Sequence, residues 1–462
     1  MILKHRTLCT QGHRPEPQAS TYHRGMITCL LLVSCAPAMG APVLNDTRLT
    51  VATHTAGLDA PTGFAFIGQN ELFVIEKATG RVKRVVNGVV TGTVLDVDVT
   101  HNSERGLLGI AAHPDFDTKP FVYLYFSANN AGSDSSSNST WTENRLSRFT
   151  WNGSVLDPAS QVPLLRFAND PAQSNGPNHD GGPLVFGSNG KLFGTTGDLN
   201  RRRAEQNRQN QADVSAKVGG IYRLEAPGDV TDGADAADNP FINHPNADFR
   251  KWFAYGVRNT FGVAFDPVTG ALWDTENGPG TFDEINLVAP GFNSGWSPIM
   301  GPDARDLMDA PGDLVVLPNS SYSDPEFSFL GTIGITDLAF LADFTFDARY
   351  HDAVIFGGSN GRNAGRLHVL RLNAARNGFD VSGLPAGLTD LVTDTNMELD
   401  ELTFGSGFGV VTDIQIGPDR ALYVLSLNGA LYRIVPDPTT ITCLLGIGLV
   451  CAGRRDRSSA RM

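Results

Sequence analysis

Several short stretches of this chain place side chains of chemical use beside glycine. They are Glu104-Arg105-Gly106, His179-Asp180-Gly181-Gly182, Gly197-Asp198, Gly256-Val257-Arg258-Asn259 and Glu276-Asn277-Gly278-Pro279. An imidazole changes charge near neutral pH and suits proton transfer, which singles out His179 and His113. His113 stands in a His-Pro-Asp turn and reads as structural. Taken alone, Asp198 shapes a Thr-Gly-Asp corner, Arg258 pairs at a strand edge and Gly278-Pro279 makes a tight turn. The acidic run from Asp229 to Asp235 lacks full EF-hand spacing and reads as a solvated loop rather than a calcium loop. Thiol chemistry is excluded from the body. The five cysteines (Cys9, Cys29, Cys35, Cys443, Cys451) all lie near the chain ends.

The elements that must position these residues repeat along the chain. An apolar run, a turn of Pro, Gly, Asn or Asp, and a second apolar run recur at 63–74, 108–125, 184–193, 263–273, 335–357 and 414–424. Each copy has the alternation of a β-hairpin around residues suited to its turn. A lone hairpin cannot bury both faces, so radial stacking is the economical arrangement. Six copies without a long amphipathic helix predict an all-β fold, a six-bladed β-propeller with long inter-strand insertions. Its site is expected at the loops around one channel mouth.

Composition separates this body from its two ends. The 462 residues carry a formal charge of −13, with 41% hydrophobic and 18% charged residues, which excludes a disordered chain. Residues 1–40 and 439–462 hold eight of the 36 basic and only two of the 49 acidic residues, so the body stands at −19. Such acidity argues against a nucleic-acid partner. Residues 1–40 show basic residues, the apolar run 27–34 and a small-residue exit, as a secretory signal does. Leu32-Val33-Ser34-Cys35 also resembles a lipobox, which would make Cys35 a lipidated terminus. The division expected is export segment 1–40, propeller 41–436 and hydrophobic tail 437–462. The tail, with Pro436-Asp437-Pro438, an apolar run and Arg454-Arg455-Asp456-Arg457, resembles a PEP-CTERM sorting signal. That resemblance implies transient membrane association, processing by an exosortase, and a periplasmic, outer-envelope or extracellular location.

The glycine-flanked stretches, taken in order with 104–116, 238–241, 283–286 and 291–296, resemble the PQQ-dependent soluble aldose (glucose/sorbosone-type) dehydrogenases. The likeness spans roughly Gly57 to Val435 and implies a six-bladed propeller with the quinone cofactor PQQ at the channel mouth. It implies hydride transfer from the anomeric carbon of an aldose, giving a lactone, with an external electron acceptor. His179 would take the hydroxyl proton, Asp198 would orient it, and Arg258 would stabilise the developing alkoxide or quinone oxygen. Asn259 would contact PQQ, Glu104 would contact the sugar, and the carbonyls of Gly278 and Pro279 would hold Ca²⁺. The chain departs from the family pattern at Val257, where histidine is usual, and at Val410 and Thr412, where arginines hold the cofactor's carboxylates. The stretch 359–367 has no lysine and offers Arg362 and Arg366 as substitutes. The leading expectation is an exported PQQ- and Ca²⁺-dependent sugar dehydrogenase. The alternatives are a non-catalytic propeller binding carbohydrate or protein at the cell surface, and a Ca²⁺-dependent lactonase.

Overall fold

The computed structural model describes residues 41–437, except 172–175, 202–205, 210–216, 230–231, 307 and 343–347. The expected export segment with Cys35, and the sorting tail beyond Asp437, lie outside the described residues. Within them the chain is an all-β propeller built of six sheets. Each sheet opens at one edge with an inner strand: Pro61–Gly68, Leu107–Ala112, Leu184–Phe186, Thr260–Phe265, Ile335–Phe340 and Val411–Ile416. Each inner strand contacts the next, and the last returns to the first, so they ring a central channel. The described residues include no helix long and apolar enough to cross a membrane.

The strand sequences explain the stacking. Second strands such as Glu71–Glu76 (ELFVIE) and Leu422–Ser426 (LYVLS) are apolar on both faces and almost wholly buried. Because side chains alternate, Phe73 and Ile75 face the second sheet while Leu72 and Val74 face the sixth. The same division recurs around the ring, and one hydrophobic cluster fills each of the six interfaces between neighbouring sheets. Outer strands such as Val89–Asp96 are largely exposed, with Thr91, Thr93 and Asp96 alongside Val89 on the solvent side.

Two N-terminal strands close the ring. Leu49–Thr55 pairs antiparallel with Ala430–Pro436 at the outer edge of the sixth sheet, and Val43–Leu44 pairs with Thr403–Ser406 in the fifth. The expected insertions are present and return to sheets already begun. Phe292–Asn293 and Ser321–Tyr322 extend the third sheet, and Val392–Thr393 extends the fourth.

Five of the six inner strands carry a β-bulge near their start, at Thr62, Leu108, Phe261, Thr336-Asp337 and Thr412. A bulge re-aims a side chain and breaks pairing locally. Here it lets Thr62 Oγ1 donate to Leu107 O at 2.7 Å and Thr412 Oγ1 donate to Pro61 O at 3.0 Å, stitching one sheet to the next. The channel they enclose is a cavity of about 1040 Å³.

Candidate active site

Strand register decides which loops meet. Pro61 pairs with Glu76, Leu184 with Gly194, and Thr260 with Glu276. The segment before each inner strand and the segment after its partner therefore emerge at one end of the channel. That end collects Lys77, Glu104, His179, Asp198, Arg258, Asn259 and Gly278. His113, which follows an inner strand, lies at the other end, where its Nδ1 accepts from Asp115 N at 3.0 Å.

His179 and Asp198 are joined, with Nδ1 2.6 Å from Asp198 Oδ1. Asp198 is buried, and three more donors reach it. Trp296 Nε1 donates to Oδ2 at 2.8 Å, Asn200 N to Oδ1 at 2.7 Å, and Gln206 Nε2 to Oδ2 at 3.4 Å. A carboxylate so surrounded accepts from Nδ1–H and leaves Nε2 with its lone pair, the form of a base. His179 has φ +64, a left-handed backbone that costs a non-glycine residue about 1–3 kcal/mol. Its N–H donates to Glu104 Oε2 at 2.7 Å and its carbonyl accepts from Leu199 N at 3.2 Å, which hold that conformation from both sides.

Glu104 is the hub of the neighbouring contacts. Its Oε2 also accepts from Asn259 Nδ2 at 3.0 Å, while Asn259 Oδ1 accepts from Gly181 N at 3.3 Å. Asn259 thus has both ends of its amide engaged, and it braces Glu104 and the His179 loop. Beside Glu104, Arg105 is buried with Asp180, Nε 3.6 Å from Oδ1, and its guanidinium lies 3.7 Å from the centre of the Trp141 ring. Burial pushes the Asp180 carboxyl up to about 6, against the pull of Arg105. The two loops approach closely because residue 109 is glycine. A Cβ there would fall 1.9 Å from Gly182 O.

Arg258 is half-buried; its Nη1 donates to Asn277 O at 2.7 Å, and its guanidinium lies 5.3 Å from the centre of the Trp296 ring. One indole therefore contacts both the arginine and the carboxylate that holds His179. At the Gly278-Pro279 turn, Gly278 N donates to Asp283 Oδ1 at 3.0 Å, and Asp283 Oδ2 takes the amides of Ile333 and Ile335. The carboxylate is spent on backbone, so this turn offers carbonyl oxygens. Among the described residues no group of three or more His, Cys, Asp or Glu side chains could hold a metal ion. In the acidic run, Asp232 is engaged by Arg148 at 2.8 Å and by Tyr123.

The remaining sequence candidates fall elsewhere. Arg362 Nη2 donates to both Asp400 oxygens at 2.6 and 2.8 Å, and Arg366 pairs with the same carboxylate. Neither lines the channel, whereas Val410 and Thr412 do. Val257 is fully buried. Two residues that sequence reasoning passed over join the site. Trp296 carried a signal, since a buried indole N–H needs an acceptor. Lys77 carried one too, since it directly follows a second strand and so must emerge at the mouth.

Comparison with known proteins gives a consistent picture. The family model described as Glucose / Sorbosone dehydrogenase matches residues 58–433. The aldose sugar dehydrogenase of Escherichia coli (strain K12) is 28% identical over 389 residues, covering 82% of this chain and 91% of its own. Quinoprotein glucose dehydrogenase B of Acinetobacter calcoaceticus is 31% identical over 264 residues, 53% of this chain and 52% of its own. The PQQ-bound aldose sugar dehydrogenase of Streptomyces coelicolor shares the fold, with a TM-score of 0.58 at 21% identity over 86% of this chain and 100% of its own. The chain carrying this His179–Asp198 pair at the mouth of a propeller channel belongs to the glucose/sorbosone dehydrogenase family.

Proposed function

We propose that this chain is an exported sugar dehydrogenase that oxidises the anomeric C–OH of an aldose to a lactone. Each of the six sheets counts as one blade in this reading. Bound PQQ, assisted by Ca²⁺, would supply the two-electron acceptor, reoxidised by an external electron acceptor. The observation that carries the proposal is the 2.6 Å contact from His179 Nδ1 to Asp198 Oδ1. It leaves Nε2 to take the hydroxyl proton as hydride departs from carbon. Asp198 fixes the tautomer and offsets the charge that His179 gains. Glu104 and Asn259 hold the His179 backbone in place, and Arg258 offers positive charge to an oxygen that becomes anionic.

The residues present fit the two groups unequally. The Gly278-Pro279 carbonyls suit Ca²⁺, a hard cation that takes oxygen. Arg258 and Lys77 suit an anionic quinone, with fewer charges than its three carboxylates carry. Arg362 and Arg366 are engaged by Asp400 and supply none. Export is supported by the leader pattern of residues 1–40.

The test is reconstitution of the full chain with PQQ and Ca²⁺, followed by binding and aldose-dependent dye reduction. Binding and turnover are expected, with turnover lost in His179→Ala. Failure to bind PQQ at micromolar concentration would overturn the oxidoreductase reading. It would favour the second one, a carbohydrate- or protein-binding propeller, which the uncharged Val410 and Thr412 in the channel wall support.

A further inference from the structure

Among the described residues lining the channel, two are cations, and they stand at opposite ends. Arg420 is exposed in the turn after Val411–Ile416, away from the site. Lys77 lies at the His179 end, beside Ser103, Glu104 and Gly181. Its surroundings differ from those of the other basic residues near the channel. Arg105 has Asp180, and Arg362 and Arg366 have Asp400. Among the described residues no carboxylate comes within 4 Å of the Lys77 ammonium, whose one hydrogen bond is from Nζ to Ser103 O at 2.6 Å. An ammonium has three N–H donors.

The ammonium is also partly withdrawn from water. Gly106, with φ +150, folds over the lysine stem, and a Cβ there would fall 2.7 Å from Lys77 Cγ and 2.4 Å from Lys77 O. Burial lowers its proton affinity, and the more distant Asp180 and Glu104 only partly restore it. Of those acids, Asp180 faces Arg105, and Glu104 already accepts from His179 and Asn259 through Oε2. A half-buried cation with no ion-pair partner, facing a cavity at the catalytic end, is a seat for an anion.

We propose that Lys77 is the carboxylate-binding residue of the channel mouth, taking a carboxylate of the quinone cofactor or of an acidic aldose such as a uronic acid. The cofactor arm rests on the function proposed above; the sugar arm does not. A charge-assisted hydrogen bond here would place one anionic group within reach of Glu104 and the His179 loop, and so set the orientation of whichever molecule carries it.

Calorimetric titration of the full chain with PQQ, glucuronate and neutral glucose separates these cases, using wild type, Lys77→Met and Lys77→Arg. Methionine keeps the stem against Gly106 and removes the charge. At least one carboxylate probe is expected to bind wild type and to weaken about tenfold or more in Lys77→Met. Binding should persist in Lys77→Arg and fall with added salt, while any glucose affinity stays unchanged. Loss with PQQ alone assigns the cofactor, and loss with glucuronate alone assigns the sugar. The proposal is overturned if Lys77→Met matches wild type toward both probes, including the case where neither binds. Wild type that takes glucuronate but not PQQ would sink the quinone reading and leave Lys77 standing.

Discussion

Two sets of buried carboxylates lie near the same mouth and behave differently. Asp198 has one acid group and four donors: His179, Trp296, Asn200 and Gln206. Asp337 and Asp413 occupy the third position of neighbouring inner strands, line the channel and share a side-chain hydrogen bond. They also hold backbone: Asp413 Oδ2 accepts from Phe64 N at 2.8 Å and Asp337 Oδ2 from Ile414 N at 2.8 Å. Asp413 also accepts from Gln415 Nε2 at 3.0 and 3.1 Å, so the pair is set apart by two acid groups side by side in a buried place rather than by a lack of donors. Burial pushes both carboxyls up, Asp413 to about 6, and the neighbouring Asp413 raises Asp337 further. The difference teaches that depth alone does not assign a role to an aspartate. The His179 imidazole beside it suits Asp198 to the role of an orienting anion, whereas two acids side by side make Asp337 and Asp413 a proton-sharing strut between sheets.

That contrast is open to direct attack. Asp198→Asn is expected to lower turnover by roughly 10²–10⁴-fold while thermal stability changes little, because the amide can hold His179 in the wrong tautomer. Equal loss of activity and fold would erase the distinction. The strut predicts an effect on stability instead. The folded values lie above the ordinary 3.8, Asp413 at about 6 and Asp337 well above its usual range, so the stability they contribute is complete below 3.8 and is lost as pH rises through those folded values. Asp337→Asn should therefore match wild type near pH 3.5 in urea unfolding and exceed it near pH 8, by about 1–3 kcal/mol. A variant that loses stability at pH 8 would show that the pair is well served when ionised. Trp296→Phe removes one donor from Asp198 and keeps the ring near Arg258, so turnover should fall roughly tenfold. The smallest effect belongs to Asp400→Asn, an exposed partner whose loss should change stability by less than about 1 kcal/mol. Its value lies in PQQ affinity, since tighter binding would show that freed Arg362 and Arg366 reach the mouth.

The hairpin repeats were legible because their apolar alternation and turn residues are local. Short strands such as Val43–Leu44 and Val392–Thr393 were not, since two residues carry no periodicity and their partners are remote in sequence. The His179–Asp198 pair was legible through its motifs. The fate of Arg362 and Arg366 was hidden because Asp400, 38 and 34 residues away, reaches them only through folding of the fifth sheet. Asn259 was assigned to a cofactor, and its amide also bridges Glu104 and Gly181, a role its motif does not state. A sequence shows that an amide is present but not which way it points. Lys77 was overlooked because Val74-Ile75-Glu76-Lys77 reads as the end of a strand, and its importance appears only once register places that end beside Glu104.

The pairing of Leu49–Thr55 with Ala430–Pro436 has a consequence for how the molecule faces its surroundings. Ala430–Pro436 runs in the same sense as the inner strand Val411–Ile416, so it finishes where that strand finishes, away from His179. The described chain ends there at Asp437, whose N–H donates to Arg48 O at 2.7 Å. A tether fixed to the residues beyond Asp437 would pull on the far rim of the ring and leave the reactive mouth turned outward, toward whatever diffuses past.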